Sequence, residues 1–258
     1  MTVRYIDSHA HIMSEEFEND LEEMLKKTEA SHIDRIMIIT LEPEEAYRAL
    51  EFRKRDPGKY QVAHAVFPED ADKLTEERWN AFREITARGD VSAVGECGLE
   101  YHWVKDENLR AKQRELFIRQ IEWANEIGKP VLVHSRDAMQ DTFDILKQHR
   151  CRGLLHCFPG SKEMALEFTK LGYYIALGGA VTFKNARHSG EVCRTIDEKY
   201  LLTETDSPYM SPEPVRGRRN DPSNIPHILR KMAELRNVPE EYLAGVIFEN
   251  YTRFLEGK

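Results

Sequence analysis

The chain has no long hydrophobic run. Nothing in it approaches the ~20 apolar residues needed to cross a bilayer, and MTVRYIDSHAH at the start lacks a signal-peptide core. The expectation is a cytoplasmic protein with no membrane partner. Cysteine is also scarce. Cys97, Cys151, Cys157 and Cys193 form no C-x-x-C pair and no dense framework, so reduced thiols are expected. There is no excess of positive charge. With 37 Lys and Arg against 45 Asp and Glu, the formal net charge is -8, which excludes coating of nucleic acid through the overall field but not local binding of phosphate. Repeats, linkers, low-complexity stretches and long charge runs are all missing. Finally, DSHAHIMS at 7–14 contains no glycine. The Gly-rich phosphate loop that follows the first strand of an open nucleotide-binding sheet is therefore absent.

What is present is alternation. In 258 residues, 41% hydrophobic and 32% charged, short β-branched or apolar runs recur at 3–7, 34–40, 61–66, 91–96, 130–135, 152–158, 173–177 and 200–206. Longer stretches with helical periodicity lie between most of them. From Leu109 to Ile127, for example, Phe117, Ile121 and Ala124 share one face, Gly128 supplies a stop, and Pro130 blocks continuation. Asp137 is expected to cap the next helix, which carries Phe143 and Leu146. Eight strands alternating with helices imply parallel pairing with right-handed crossovers. A closed α/β barrel needs roughly 250 residues. The expected fold is thus α/β, a single (β/α)8 TIM barrel over 1–258, with a metal site at the C-terminal ends of its strands.

The metal expectation comes from where histidines fall. His9 and His11 follow the first run, His134 ends PVLVH, and His156 ends RGLLH; Glu96 and Asp206 end VSAVGE and LLTETD. Residues i and i+2 of a strand point the same way, so His9 and His11 would both face the barrel mouth. Each residue has an ordinary alternative: a satisfied buried histidine, a turn carboxylate, an N-cap. Six at one structural level are different, because burying that many ionisable groups together without a cation is very unfavourable. Four imidazoles and two carboxylates exceed what one tetrahedral zinc uses. A pair of metals ~3.5–4 Å apart with a shared carboxylate would use them all. Imidazole suits zinc, manganese or iron better than magnesium.

DSHAHI, GECGLEYH, KPVLVHSRDA, LLHCFPGS, GGAVTFKNA, LLTETDSPY and RGRRNDPSNIP, in this order, resemble the motifs of TatD-family metal-dependent hydrolases of the amidohydrolase superfamily. The resemblance runs over nearly the whole chain. It implies that His9, His11 and Asp206 hold a first divalent metal, that Glu96 bridges, and that His134 and His156 hold a second. The metals would be Zn, Mn or Mg, since family members are often described as magnesium-dependent. It implies hydrolysis of phosphodiesters in DNA, or, as in some relatives, deacylation of D-aminoacyl-tRNA. Two departures stand out. The family's G-x-H-P-H stretch reads Ala65-Val66-Phe67-Pro68-Glu69, and its G-L-D reads Gly98-Leu99-Glu100. These departures are expected to leave the metal centre intact and to alter substrate contacts; His64 is not counted as a site residue.

On this reading Asp206 and Glu96 are the catalytic carboxylates, with Asp206 orienting a water or accepting its proton. Phosphate contact is expected from Arg136 and from the cluster Arg216, Arg218 and Arg219, with Lys184 and Arg187 as weaker candidates. The substrate would carry phosphate, as DNA ends or nucleotides do, and no obligate protein partner is evident. Tyr101, His102 and Trp103 are expected to pack as a hydrophobic cover in preference to stacking on a base, and Met13 and Phe17 to pack as well. A metal-containing scaffold without activity is the non-enzyme alternative.

Overall fold

The computed structural model describes residues 3–257. Eight strands occur in chain order: β1 (Tyr5–Ala10), β2 (Ile33–Thr40), β3 (Tyr60–His64), β4 (Ala93–Glu100), β5 (Val131–Arg136), β6 (Gly153–Leu155), β7 (Tyr174–Leu177) and β8 (Leu201–Thr203). Each pairs in parallel with the next, in the order β1 to β8. Helices fill the connections: α1 (Leu21–Ala30), α2 (Pro43–Arg53), α3 (Glu76–Ala87), α4 (Glu107–Glu126), α5 (Met139–Gln148), α6 (Lys162–Lys170), α7 (Arg187–Thr195) and α8 (Ile225–Arg236), with α9 (Glu240–Glu256) after the last. This is a (β/α)8 TIM barrel.

The seam between β8 and β1 is closed by a few specific bonds. The Thr203 hydroxyl donates to the Ile6 carbonyl at 2.7 Å, Asp206 N–H to His9 O at 2.9 Å, and His11 N–H to Ser207 O at 2.8 Å. Asp206 is thereby drawn beside His9 and His11 by barrel closure itself. Asp7, fully buried, reinforces the seam by accepting from Thr205 N–H (2.9 Å) and the Thr205 hydroxyl (2.6 Å).

Helix α4 shows how an amphipathic face serves the rim. Phe117, Ile121 and Ala124 are buried as their spacing predicts. Two buried glutamines of the same helix hold strand ends: Gln120 exchanges hydrogen bonds with the Val66 backbone (2.9 and 3.0 Å), and Gln113 with that of Glu100 (2.9 and 3.2 Å). The helix opens on Asp106, whose carboxylate accepts from Asn108 and Leu109 N–H. Gly128, at φ +70°, ends it as expected.

Several expected boundaries move. β1 continues through His9 and β4 runs four residues past Glu96, whereas β6 and β8 stop short of His156 and Asp206. Asp137 does not cap α5. It sits at φ +53° and its carboxylate meets His102 Nδ1 at 3.0 Å. Two strands also carry one extra residue against their neighbours. Asp7 to Ala10 spans three steps against two from Ile36 to Ile38, and Val94 to Cys97 spans three against Val131 to Val133. Such bulges re-aim side chains at barrel rims; here they fall on Ser8-His9 and Gly95-Glu96.

Gly98 of β4 pairs with His134 of β5. Its φ is +148°, and an added Cβ would come within 1.9 Å of the His134 carbonyl oxygen. Gly98→Ala should therefore cost about 3 kcal/mol or more, through backbone strain plus forced separation of the strands. Gly128, with φ +70° and nothing within 4 Å of its added Cβ, should cost only about 1 kcal/mol as alanine. Thermal unfolding checks this: the first variant should melt roughly 6–12 °C lower and the second roughly 2–4 °C lower.

Candidate metal centre

Six side chains from five strand ends meet at the C-terminal mouth of the barrel. Ligand atoms of His9, His11 and Asp206 lie within 4.8 Å of one another, and so do those of His9, Glu96 and His156. The centre of the cluster is Glu96 Oε2, with His156 Nε2 at 2.8 Å, His9 Nε2 at 3.3 Å and His134 Nδ1 at 3.6 Å. The other carboxylate oxygen, Oε1, is 3.8 Å from His11 Nε2. Asp206 Oδ1 is 3.7 Å from the Nε2 atoms of both His9 and His11.

These contacts do not form an ordinary hydrogen-bond network. Among the described residues Glu96 Oε2 accepts no hydrogen bond of acceptable geometry, and His9 Nδ1 and His156 Nδ1 are likewise buried without partners. Imidazole nitrogens face each other in pairs: His9 Nε2 and His11 Nε2 at 3.3 Å, His134 Nδ1 and His156 Nε2 at 3.0 Å. Two nitrogens bound at ~2.0–2.1 Å to one tetrahedral ion would stand ~3.4 Å apart. Convergent lone pairs at this spacing, around a buried and unbonded carboxylate oxygen, fit divalent cations.

Electrostatics point the same way. Burial, aided by the neighbouring His156, pushes His9 down to about 4, so it is neutral. Burial opposes the ionised forms of Glu96 and Asp206, but the surrounding imidazoles outweigh it and hold both carboxyls below their usual range. At His134 burial likewise opposes the charge, yet Glu100 and Glu96 together push it up to about 9.

Three further acids support the cluster, and sequence reasoning did not assign them. Glu100 Oε2 sits 3.3 Å from His134 Nε2, while its Oε1 accepts from His102 N–H (2.6 Å) and Trp103 N–H (3.1 Å). Glu204 is fully buried, accepts from Cys157 N–H, and lies 3.9 Å from His156 Nδ1. Burial beside Asp206 pushes its carboxyl up. Asp7 also accepts from His9 N–H at 3.2 Å, and burial pushes it up to about 7. An acid placed within four residues of a rim histidine or carboxylate was the available signal.

Both departures from the family pattern touch His134: Phe67 packs edge-on to its ring at 5.2 Å, and Glu100 bonds its outer nitrogen. The six candidate ligands still converge, but both departures lie against one of them. His64 does stay outside the cluster, with Nδ1 beside Thr40 Oγ1 at 3.2 Å.

The arginines divide. Arg219 is engaged by Asp20 and the Glu16 carbonyl and lies over Phe17 at 4.5 Å, so it anchors its loop to the start of α1 instead of standing free for phosphate. Arg187 pairs with Glu191 at 3.0 Å. Among the described residues, the guanidiniums of Arg136, Arg216 and Arg218 have no carboxylate partner; Arg136 lies 5.3 Å over the Trp103 ring and Arg216 4.0 Å over Phe183. The aromatic trio splits too. Tyr101 is buried as expected and donates to Asp141 at 2.7 Å, but Trp103 is 66% exposed, which corrects its place in the hydrophobic cover.

The family model described as "TatD related DNase" matches residues 6–256. The metal-dependent hydrolase YabD of Bacillus subtilis is 38% identical over 253 residues, covering 96% of this chain and 97% of its own length. YcfH of Escherichia coli K12, also named a metal-dependent hydrolase, is 34% identical over 256 residues, covering 96% and 94%. Among solved structures, the TatD homologue YJJV of Escherichia coli K12 superposes with a TM-score of 0.91 at 28% identity over 100% of both chains.

Because Glu100 stabilises the His134 imidazolium, Glu100→Gln should lower that imidazole's pKa in the metal-free protein. Nuclear magnetic resonance of the ring should show titration near 9 in the wild type and at least one unit lower in the variant. A raised folded-state pKa stabilises the fold below the unfolded value, ~6.5. The metal-free wild type should therefore lose this contribution as pH rises toward 9, and Glu100→Gln should lose it at lower pH. An unchanged titration would remove Glu100 from this role.

Proposed function

The chain belongs to the TatD-related DNase family and is a metal-dependent hydrolase; from that premise we propose that it cleaves phosphodiester bonds of DNA at a two-cation centre on the barrel rim. His9, His11 and Asp206 would hold one cation, His134 and His156 the other, and Glu96 would bridge them. The observation that carries the reading is Glu96 Oε2, buried, without a hydrogen bond, and faced by three imidazole nitrogens within 3.6 Å. When bound, divalent cations supply Lewis acidity toward phosphoryl oxygens and make an attacking water more acidic.

The protein's own groups then have separable tasks. With a cation bound, His134 would give up its Nδ1 proton, and Glu100 would keep the remaining proton on Nε2 so that Nδ1 faces the centre. Asp206, kept ionised by His11 against the cost of burial, takes a proton from the attacking water and returns it to the leaving oxygen. Arg136, Arg216 and Arg218 present planar forks to phosphate oxygens. Burial keeps the Glu96 and Asp206 carboxylates poorly screened, so each acts more strongly than it would in water, whereas the three arginines are exposed.

Zinc- or manganese-loaded protein should release product from end-labelled DNA. Asp206→Asn should lower kcat by about 100-fold or more, with a smaller effect on KM. Product from D-aminoacyl-tRNA alone would overturn the phosphodiesterase reading, and full activity of Asp206→Asn would overturn the role of Asp206.

A further inference from the structure

We propose that Trp103 and Arg136 form a nucleotide subsite beside the metal centre, with the indole stacking on a base and the guanidinium holding an adjoining phosphate; the identity of the ligand rests on the phosphodiesterase reading above. The three tryptophans have different settings. Trp79 is buried under the Arg119 guanidinium, 4.2 Å from its ring. Trp123 is partly buried and donates its indole N–H to Thr86 Oγ1 at 2.8 Å. Trp103 is 66% exposed, and among the described residues its indole N–H has no partner.

This exposure is built in. The Trp103 amide donates to Glu100 Oε1 at 3.1 Å, and the other oxygen of that carboxylate meets His134 Nε2 at 3.3 Å. The His102 ring stands edge-on to the indole at 4.5 Å and is itself held by Asp137 at 3.0 Å. A largely exposed indole is thus held on a turn whose amide is bonded through Glu100 to His134.

Arg136 supplies the second half. It follows His134 by two residues at the end of β5, and its guanidinium lies 5.3 Å from the Trp103 ring centroid. Among the described residues it has no ion pair or hydrogen bond from that guanidinium, whereas Arg219 is fully engaged. A planar cation beside an exposed indole matches a nucleotide, because a base stacks on the aromatic ring and the guanidinium N–H groups donate to phosphate oxygens. Across the mouth, on the loop after β8, Tyr209 is 55% exposed with its ring 6.3 Å from that of His11. In an eight-strand ring β8 stands opposite β4, so Tyr209 bounds the mouth from the far side and Trp103 marks one direction along the substrate.

Two measurements test the subsite. First, indole fluorescence is followed during titration with deoxyadenosine monophosphate or with deoxyribose 5-phosphate. The wild type should show saturable quenching by the nucleotide and none by the sugar phosphate. Trp103→Phe should abolish the signal, and Arg136→Ala should weaken nucleotide affinity about tenfold. Second, oligonucleotides with a terminal base or a terminal abasic residue are compared as substrates. The wild type should favour the base about tenfold in kcat/KM, Trp103→Ala should not discriminate, and Trp103→Phe should recover part of the preference. Quenching that persists in Trp103→Phe, or base preference undiminished in Trp103→Ala, would overturn the subsite. Trp103-dependent quenching in a protein that hydrolyses no nucleic acid would support the subsite and overturn the phosphodiesterase reading instead.

Discussion

The structure depends on a buried carboxylate that has no conventional partner. Glu96 Oε2 is enclosed by imidazole nitrogens of His9, His134 and His156, and an isolated charge in such a place costs far more than any single packing interaction returns. Only opposite charge, from imidazolium or from cations, makes the arrangement tolerable. Local irregularities of the barrel serve this end. One-residue bulges in β1 and β4 fall at His9 and Glu96, and the seam that closes the barrel carries Asp206 to the same place. Barrel closure and the candidate metal cluster are thus linked at one rim: the bonds that close β8 onto β1 also bring Asp206 beside His9 and His11.

Around this centre lies a ring of supporting acids. Glu100 orients His134, Glu204 lies behind His156, and Asp7 ties the bulged part of β1 to Thr205. Outer partners of this kind fix ring orientation and raise the basicity of ligands. Beyond them the surface changes character: among the described residues the guanidiniums of Arg136, Arg216 and Arg218 have no carboxylate partner, and Trp103 and Tyr209 are exposed. A net charge of -8 does not oppose the proposed anionic substrate where a local cation such as Arg136, two residues after His134, stands without a carboxylate partner among the described residues.

The barrel was legible from the alternation of apolar runs, since helical and strand periods differ and eight strands alternating with helices leave few topologies. The level of the six candidate ligands was legible too, because they end those runs. The bulges were not. A single extra residue leaves no compositional mark, so β1 was expected to stop at residue 7, before His9, and β4 to stop at Glu96 instead of running on to Glu100. Asp137 shows a similar limit: a residue that commonly caps helices adopts a left-handed backbone and pairs with His102. Glu100 could be seen as a departure, but its partner lies 34 residues away in sequence, and only the register of β4 against β5 brings the two together. The distinction among Arg136, Arg216, Arg218 and Arg219 was equally hidden, because it depends on which of them finds an acid in space.

The most direct test of the central claim is anomalous diffraction from crystals grown with zinc or manganese. The account predicts two peaks flanking the Glu96 carboxylate, one among His9, His11 and Asp206 and the other beside His134 and His156. No peak at the rim, or a single ion that leaves Glu96 uncoordinated, would contradict it.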